Sequence, residues 1–256
     1  MIKSALFRNL ALPEWMLEGT SFGEHGLELE YDCIVVRIAS VRQRLSTLLK
    51  EKTGSQRTSQ ELTSTAEEPN KEARDIDKAL QDWTAHFPST WCYQRHTLSN
   101  PHPWLTRDFY SPIVYSYSSP AYAAVWNQYY ATRMLINSTR LRVLKLSRPD
   151  SDDFAYEQRL ECLSHMKIMT DDLASSLPFC LRRFKVTDSP NSSSHQNLIT
   201  LDTNEDIKPC MVTIASSLRD VDVKQKLWFG SELAHLGRMV GIRVLECAET
   251  DQWLVL

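Results

Sequence analysis

Glycine is scarce in this chain, with 7 among 256 residues. Few glycines leave few places for the positive-φ turns that tight hairpins use, which argues against a hairpin-rich all-β fold. A basic surplus is also missing, since the formal net charge is −3. Nucleic-acid binders draw much of their affinity from neutralising phosphates, so direct nucleic-acid binding is not expected. No run approaches the roughly 18 apolar residues of a membrane-spanning helix, and no membrane association is expected. The start, Met1 to Arg8, breaks its apolar run at Arg8 and lacks the h-region of a secretory signal. The expectation is an intracellular protein, in which the sequons at Asn137 and Asn191 carry no meaning.

Chelating cysteine pairs are absent as well. The closest of the six cysteines, Cys162 and Cys180, stand 18 residues apart, and Cys33, Cys92, Cys210 and Cys247 are more widely spaced. No C-x-x-C pair is available for zinc. Each cysteine has an apolar residue beside it, on both sides in Phe179-Cys180-Leu181, and all six are expected as buried thiols acting as small hydrophobes. A chain of this length buries about three quarters of its unfolded surface, so its core requires neither disulfide nor metal.

What is present is helical periodicity. Tyr31, Ile34, Ile38, Val41, Leu45 and Leu48 recur at steps of three and four, with Arg37, Arg42 and Arg44 on the other side. Residues 51–71 contain one large aliphatic, Leu62, and no aromatic, which reads as a disordered loop. Ile76, Leu80, Trp83 and Phe87 resume the helical pattern until Pro88. From Pro88 to Pro120, prolines and aromatics without a steady period read as an extended connector. Ser119-Pro120 is an N-cap followed by proline at the first helical position. The helix after it runs to about Leu146 through Val125, Tyr129, Thr132, Ile136, Thr139 and Val143.

Asp152 or Asp153 caps the next helix, whose inward positions are Leu160, Leu163, Met166, Met169, Leu173 and Leu177, ending at Pro178. Residues 187–206, rich in serine, read as a second disordered loop, open to proteolysis. Helices over about 209–218 and 222–249 complete the chain, the last with Leu227, Leu233, Leu236, Val240, Val244 and Cys247 inward. The expected fold is all-α: one domain over 1–256 with about six main helices and two disordered insertions.

Candidate chemistry is weighed and mostly set aside. Asp171-Asp172 resembles the aspartate pair with which helical terpene cyclases hold magnesium diphosphate, but positions 175 and 176 are serine and no further acidic motif follows. Asp150-Ser151-Asp152-Asp153 suits a helix start better than a cation. His86, Cys92, His96 and His102 match no standard zinc spacing. No G-x-S-x-G elbow and no phosphate-cradling glycine loop occurs; Gly237 and Gly241 read as a close helix crossing inside the last helix. Arg140, Arg142 and Lys145, and Arg182, Arg183 and Lys185, form short basic runs that are either charged faces or weak nuclear-import signals. No catalytic, cofactor-binding, metal-binding or DNA-binding residue is assigned, and no cofactor or enzymatic activity is expected.

Four local patterns, in order, resemble the C-terminal regulatory region of fungal zinc-cluster (Zn2Cys6) transcription regulators. They are Trp83…Phe87-Pro88…Trp91-Cys92-Tyr93; the stretch Ala123 to Asn137, with Trp126-Asn127 leading to Arg133-Met134-Leu135-Ile136-Asn137; Asp171 to Phe179, similar to the family's DDICASVPF segment; and Trp228…Leu236-Gly237…Met239-Val240-Gly241-Ile242. The chain departs from the family in lacking the six-cysteine DNA-binding module, its basic linker and coiled coil, and in having Lys208 where a tryptophan usually precedes the proline. It looks like a shortened relative or fragment of such a regulator.

The resemblance implies a transcription-regulator-type interaction domain in the nucleus, with the cytoplasm as the alternative. It would control a fungal, typically secondary-metabolite, gene set through protein partners such as a DNA-binding zinc-cluster regulator, with a small-molecule effector as a further partner class. The competing reading is a helical small-molecule-binding scaffold or biosynthetic enzyme, with a pocket lined by Trp91, Trp104, Tyr122 and Trp126.

Overall fold

The computed structural model describes Leu12, Gly23 and residues 25–54, 59–98, 108–147, 152–187, 197–199 and 209–250. The chain is mostly helical, as expected. Its helices are α1 (Gly26–Gly54), α2 (Ser59–Ala85), α3 (Pro120–Ser147), α4 (Asp153–Cys180), α5 (Pro209–Ser217), α6 (Val223–Val240) and the short α7 (Arg243–Glu246). Two antiparallel ribbons accompany them: β1 (Gln94–Thr97) with β2 (Ile113–Ser116), and β3 (Lys185–Thr187) with β4 (Asn197–Ile199). The described residues belong to two compact units: Met1–Phe87 with Thr132–Met166, and Pro88–Ala131 with Lys167–Leu256.

In the first unit, α1 buries the stripe that its sequence spells out, Tyr31, Ile34, Ile38, Val41 and Leu45. Arg42, expected on the outer side, is instead 3% exposed, and its Nη1 donates to Thr139 Oγ1 at 3.1 Å. Burial, and secondarily the charge of Arg142, pull its guanidinium down to about 10. The expected loop over 51–71 is also overturned: residues 51–54 finish α1 and 59–71 open α2, while 55–58 lie outside the described residues. Its anchor is a small residue. Ala66 packs with Leu45 and Val143, joined by Leu49 and Leu146. Glu68 and Glu72 accept from Arg44 and Arg37 at 2.5 and 2.8 Å, and Asn70 Nδ2 donates to Gln158 Oε1 at 3.0 Å. A count of large apolar residues misses a helix held by an alanine contact and polar links.

Asp77, 4% exposed, is the polar centre of this unit. Its Oδ1 accepts from Arg133 Nε at 2.8 Å and from Asn137 Nδ2 at 2.7 Å, and its Oδ2 accepts from Arg133 Nη2 at 3.1 Å. His165 Nδ1 stands 3.5 Å from Oδ2. The bidentate fork neutralises a charge that would otherwise be stranded out of water. Next to it, Trp83 Nε1 donates to Leu27 O at 2.8 Å and its ring meets Tyr31 and Phe87 at centroid distances of 4.8 and 4.7 Å.

Helix α4 starts as expected, Asp152 Oδ1 accepting from the amides of Phe154 and Ala155 at 3.1 and 3.2 Å. Met166, Met169, Leu173 and Leu177 are buried as expected, but the first two turns are not in the expected phase. The buried line is Ala155, Arg159, Cys162, Met166, Met169 and Leu173, whereas Leu160 and Leu163 are 48% and 41% exposed. Arg159 occupies the inward position because its guanidinium bonds the Leu144 carbonyl, 3.4 Å away. A pattern built on leucines slips by one residue here. Pro178 does not stop α4, which continues to Cys180. The turn closes through Leu181 N to Leu177 O and Arg183 N to Pro178 O, both 2.9 Å, with Arg182 in the left-handed region at φ 51°.

In the second unit the expected extended connector contains a ribbon. β1 and β2 pair Gln94 with Ser116 through Thr97 with Ile113, and His96 Nε2 lies 2.7 Å from Ser116 Oγ. Ser119 opens α3 as expected, accepting the Ala121 amide at 3.2 Å. The expected loop over 187–206 is likewise interrupted by β4, while 188–196 and 200–206 lie outside the described residues. Asp222 caps α6, accepting from the amides of Lys224 and Gln225. The expected helix over 222–249 stops at Val240, and Gly241 forms a left-handed C-cap at φ 71°. The chain reverses there, so Leu233 and Leu236 are buried while Leu227, Val240, Val244 and Cys247 are exposed rather than inward.

Gly237 makes the reversal possible, because a Cβ on it would stand 2.8 Å from Leu245 Cβ and 2.9 Å from Glu246 N. Gly237→Ala should therefore destabilise the fold by about 1–3 kcal/mol through forced displacement of α7. Asp77→Ala should cost more, about 3–5 kcal/mol, because it leaves Arg133 buried without its counter-charge. Urea unfolding reads both. A loss under about 1 kcal/mol for Asp77→Ala would show that water reaches the pair.

Candidate functional site

The sequence candidates for metal chemistry resolve into structural contacts. Asp171 Oδ2 accepts from Lys167 Nζ at 2.8 Å and its Oδ1 from Gln225 Nε2 at 2.5 Å. Asp172 Oδ1 accepts from Tyr115 OH at 2.7 Å. The pair thus fastens α4 to α6 and β2. Burial, followed by that hydrogen bond to Asp172, pushes the Tyr115 phenol well above its ordinary value. Among the described residues, no three His, Cys, Asp or Glu side chains come together in a way that would hold a metal ion. His86 lies 3.5 Å from Glu30, His96 is engaged with Ser116, and His102 and Asp150 lie outside the described residues.

The basic runs are not free surfaces. Arg140 is 1% exposed and donates to Glu161 Oε2 at 2.8 Å. Arg183 clamps Glu232 with two bonds, 3.1 and 2.5 Å, and bonds the Asp108 carbonyl. Arg140 and Arg183 are thus held in internal contacts. The sequon residue Asn137 is fully buried at the Asp77 centre. No described helix is long and apolar enough to cross a membrane.

Of the pocket expected from Trp91, Trp104, Tyr122 and Trp126, Trp104 lies outside the described residues. The other three pack on one another: Trp91 stacks on Tyr122 at 5.3 Å, and Trp126 Nε1 donates to Trp91 O at 2.8 Å. They extend an aromatic core in which Tyr93 stacks on Tyr115 at 4.2 Å and meets Trp126 edge-on at 5.3 Å. Such pairs add stability beyond their buried area. A cavity lies beside this core. It measures about 590 Å³ and is bounded by the 3-10 turn at Ser89–Trp91, the ribbon β1–β2, the end of α4 and the residues leading into β3. Trp91, Tyr122 and Trp126 do not line it; its aromatic residues are Tyr117, Phe179 and Phe184, and its polar edge comes from Ser89, Thr90, Gln94, Ser116 and Ser118.

The other outstanding feature is an exposed apolar row at the start of α4. Tyr156 is 55% exposed, in line with the outward-facing Leu160 and Leu163. Tyr156, Leu160 and Leu163 follow the i, i+4, i+7 spacing of a single helical face.

The cysteines divide rather than behaving alike. Cys162 is buried and Cys180 half-buried, but Cys33, Cys92 and Cys247 are exposed, against the expectation of six buried thiols. Burial pushes the Cys162 thiol up to about 12 and the Cys180 thiol up to about 11.

Comparison with protein families, with curated proteins and with solved structures finds no match.

The raised thiols make a two-part prediction. At neutral pH, Cys33, Cys92 and Cys247 should alkylate in the folded chain and Cys162 and Cys180 only after unfolding, as read by peptide mapping. Because the folded pKa values of Cys162 and Cys180 lie above those of the unfolded chain, the unfolded state loses its protons first. Stability should therefore fall as pH rises from about 9 towards 12, with no pH dependence from these thiols below that window. Equal alkylation of all five thiols in the folded state would contradict the assignment.

Proposed function

We propose that this chain is a helical regulatory module of the fungal zinc-cluster transcription-regulator type, acting through a protein partner in the nucleus. Its task on this reading is to restrain or expose the activity of a DNA-binding regulator that controls a fungal gene set. The resemblance supplies the class. The observation that carries the mode of action is the apolar row Tyr156, Leu160 and Leu163, which α4 turns outward. Large apolar residues contiguous on one helical face lose area from water when a partner covers them, and such faces mark interaction sites.

Other features support a scaffold role for the resembling segments. Arg133 and Asn137 hold Asp77, and Asp171 and Asp172 hold Gln225 and Tyr115. Each is used up in internal hydrogen bonds, so recognition falls to other surfaces. The lack of a basic surplus in the sequence favours action through a partner over direct contact with DNA.

Affinity capture from a fungal cell with the full chain as bait tests the reading. A zinc-cluster regulator should be recovered, and Leu160→Asp with Leu163→Asp should reduce its recovery by at least about tenfold without changing the melting temperature. Recovery of no regulator or transcription machinery, together with turnover of a small molecule by the purified chain, would overturn it in favour of an enzyme.

A further inference from the structure

We infer that the 590 Å³ cavity beside the aromatic core is a binding site for an uncharged small molecule with a flat aromatic body and a hydrogen-bonding edge. This site goes beyond the partner-based role, because it uses neither the α4 row nor any surface assigned to a partner. Its size lies within the range of small-molecule sites, about 300–1,000 Å³. One wall is aromatic: Tyr117 and Phe179 meet at 5.3 Å and Phe179 and Phe184 at 6.3 Å, with Val186 completing the apolar side. The Tyr117 hydroxyl points away, donating to Ser176 Oγ at 2.9 Å, so this residue offers its ring rather than its polar end.

The rest of the lining is polar but, among the described residues, uncharged. Ser89, Thr90, Gln94 and Ser118 are exposed at the edge and bring hydroxyls and one carboxamide. Among the described lining residues there is no Lys, Arg, His, Asp or Glu. A carboxylate or phosphate would lose water there without gaining a counter-charge, a large penalty, whereas a phenol or ketone exchanges its water for hydroxyl and amide partners. The site is therefore selective by charge as well as by shape. Cys92 places an exposed thiol on the same lining and reports on occupancy.

The test uses 2-naphthol and 2-naphthoate, which share one aromatic body and differ in charge at neutral pH. In the full chain, saturating 2-naphthol should slow alkylation of Cys92 by N-ethylmaleimide while Cys33 and Cys247 react as before, read by peptide mapping. By calorimetry, 2-naphthoate should bind at least about tenfold more weakly than 2-naphthol. Thr90→Trp, a bulky residue at the exposed edge, should weaken 2-naphthol by about tenfold or more. Gln94→Lys, on an exposed strand position, should reverse the preference by supplying a charge for the carboxylate. Absence of 2-naphthol binding to the folded parent chain overturns the inference. So does equal protection of all three cysteines, or a parent preference for 2-naphthoate. If Thr90→Trp does not fold, Cys92 protection and the Gln94→Lys preference decide the matter alone.

Discussion

The carboxylate of Asp77 is the constraint around which the first unit is arranged. A buried carboxylate is tolerable only when its lone pairs are filled by well-placed donors, and here α3 provides them from one face: Arg133 and Asn137, one helical turn apart. This requirement fixes the rotation of α3 against α2. It also explains why polar residues occupy positions on α3 that a hydrophobic count would assign to the core. Thr132 and Thr139, on the same helix, receive Tyr31 and Arg42 of α1 at 2.7 and 3.1 Å. Three helices are thus positioned by specific polar contacts as well as by apolar burial, which favours a single arrangement over a set of similar ones.

The second unit solves the same problem with aromatic rings. Tyr93, Tyr115, Tyr117 and Trp126 form a cluster in which the Tyr115 and Tyr117 hydroxyls end on Asp172 and Ser176 of α4. Rings bring large buried area, and their polar tips fix orientation. The cavity lies where this cluster stops being covered by helix, so its aromatic wall continues the core and its hydroxyl edge belongs to the turn and ribbon. The Arg183–Glu232 clamp fastens the segment after α4 to α6 and so holds the Phe184 side of the wall.

Much of the helical frame was legible in the residues. The Ser119-Pro120 start of α3, the Asp152 cap of α4 and the stripe of α1 follow from caps and spacing alone. The failures have physical causes. Residues 59–71 do not read as a helix because an Ala66 contact and two polar links, at Glu68 and Asn70, do what leucines were expected to do. Leu160 and Leu163 were assigned inward because leucine outranks arginine in any hydrophobic count, yet Arg159 lies inward with its charge bonded to a carbonyl. Gly241 ended α6 early through a left-handed conformation that a helical pattern does not reveal. The cavity is not legible for a related reason: its serines and threonine come from two separate segments, 89–90 and 116–118, that converge only after folding.

On the regulatory reading proposed above, the chain reaches genes only through another protein. The direct measurement is promoter occupancy of the tagged chain in fungal cells, before and after deletion of any zinc-cluster regulator that affinity capture recovers with it. Occupancy that vanishes with the partner is the result predicted by the account. Occupancy that persists undiminished, accompanied by salt-sensitive binding of the purified chain to duplex DNA, would contradict it.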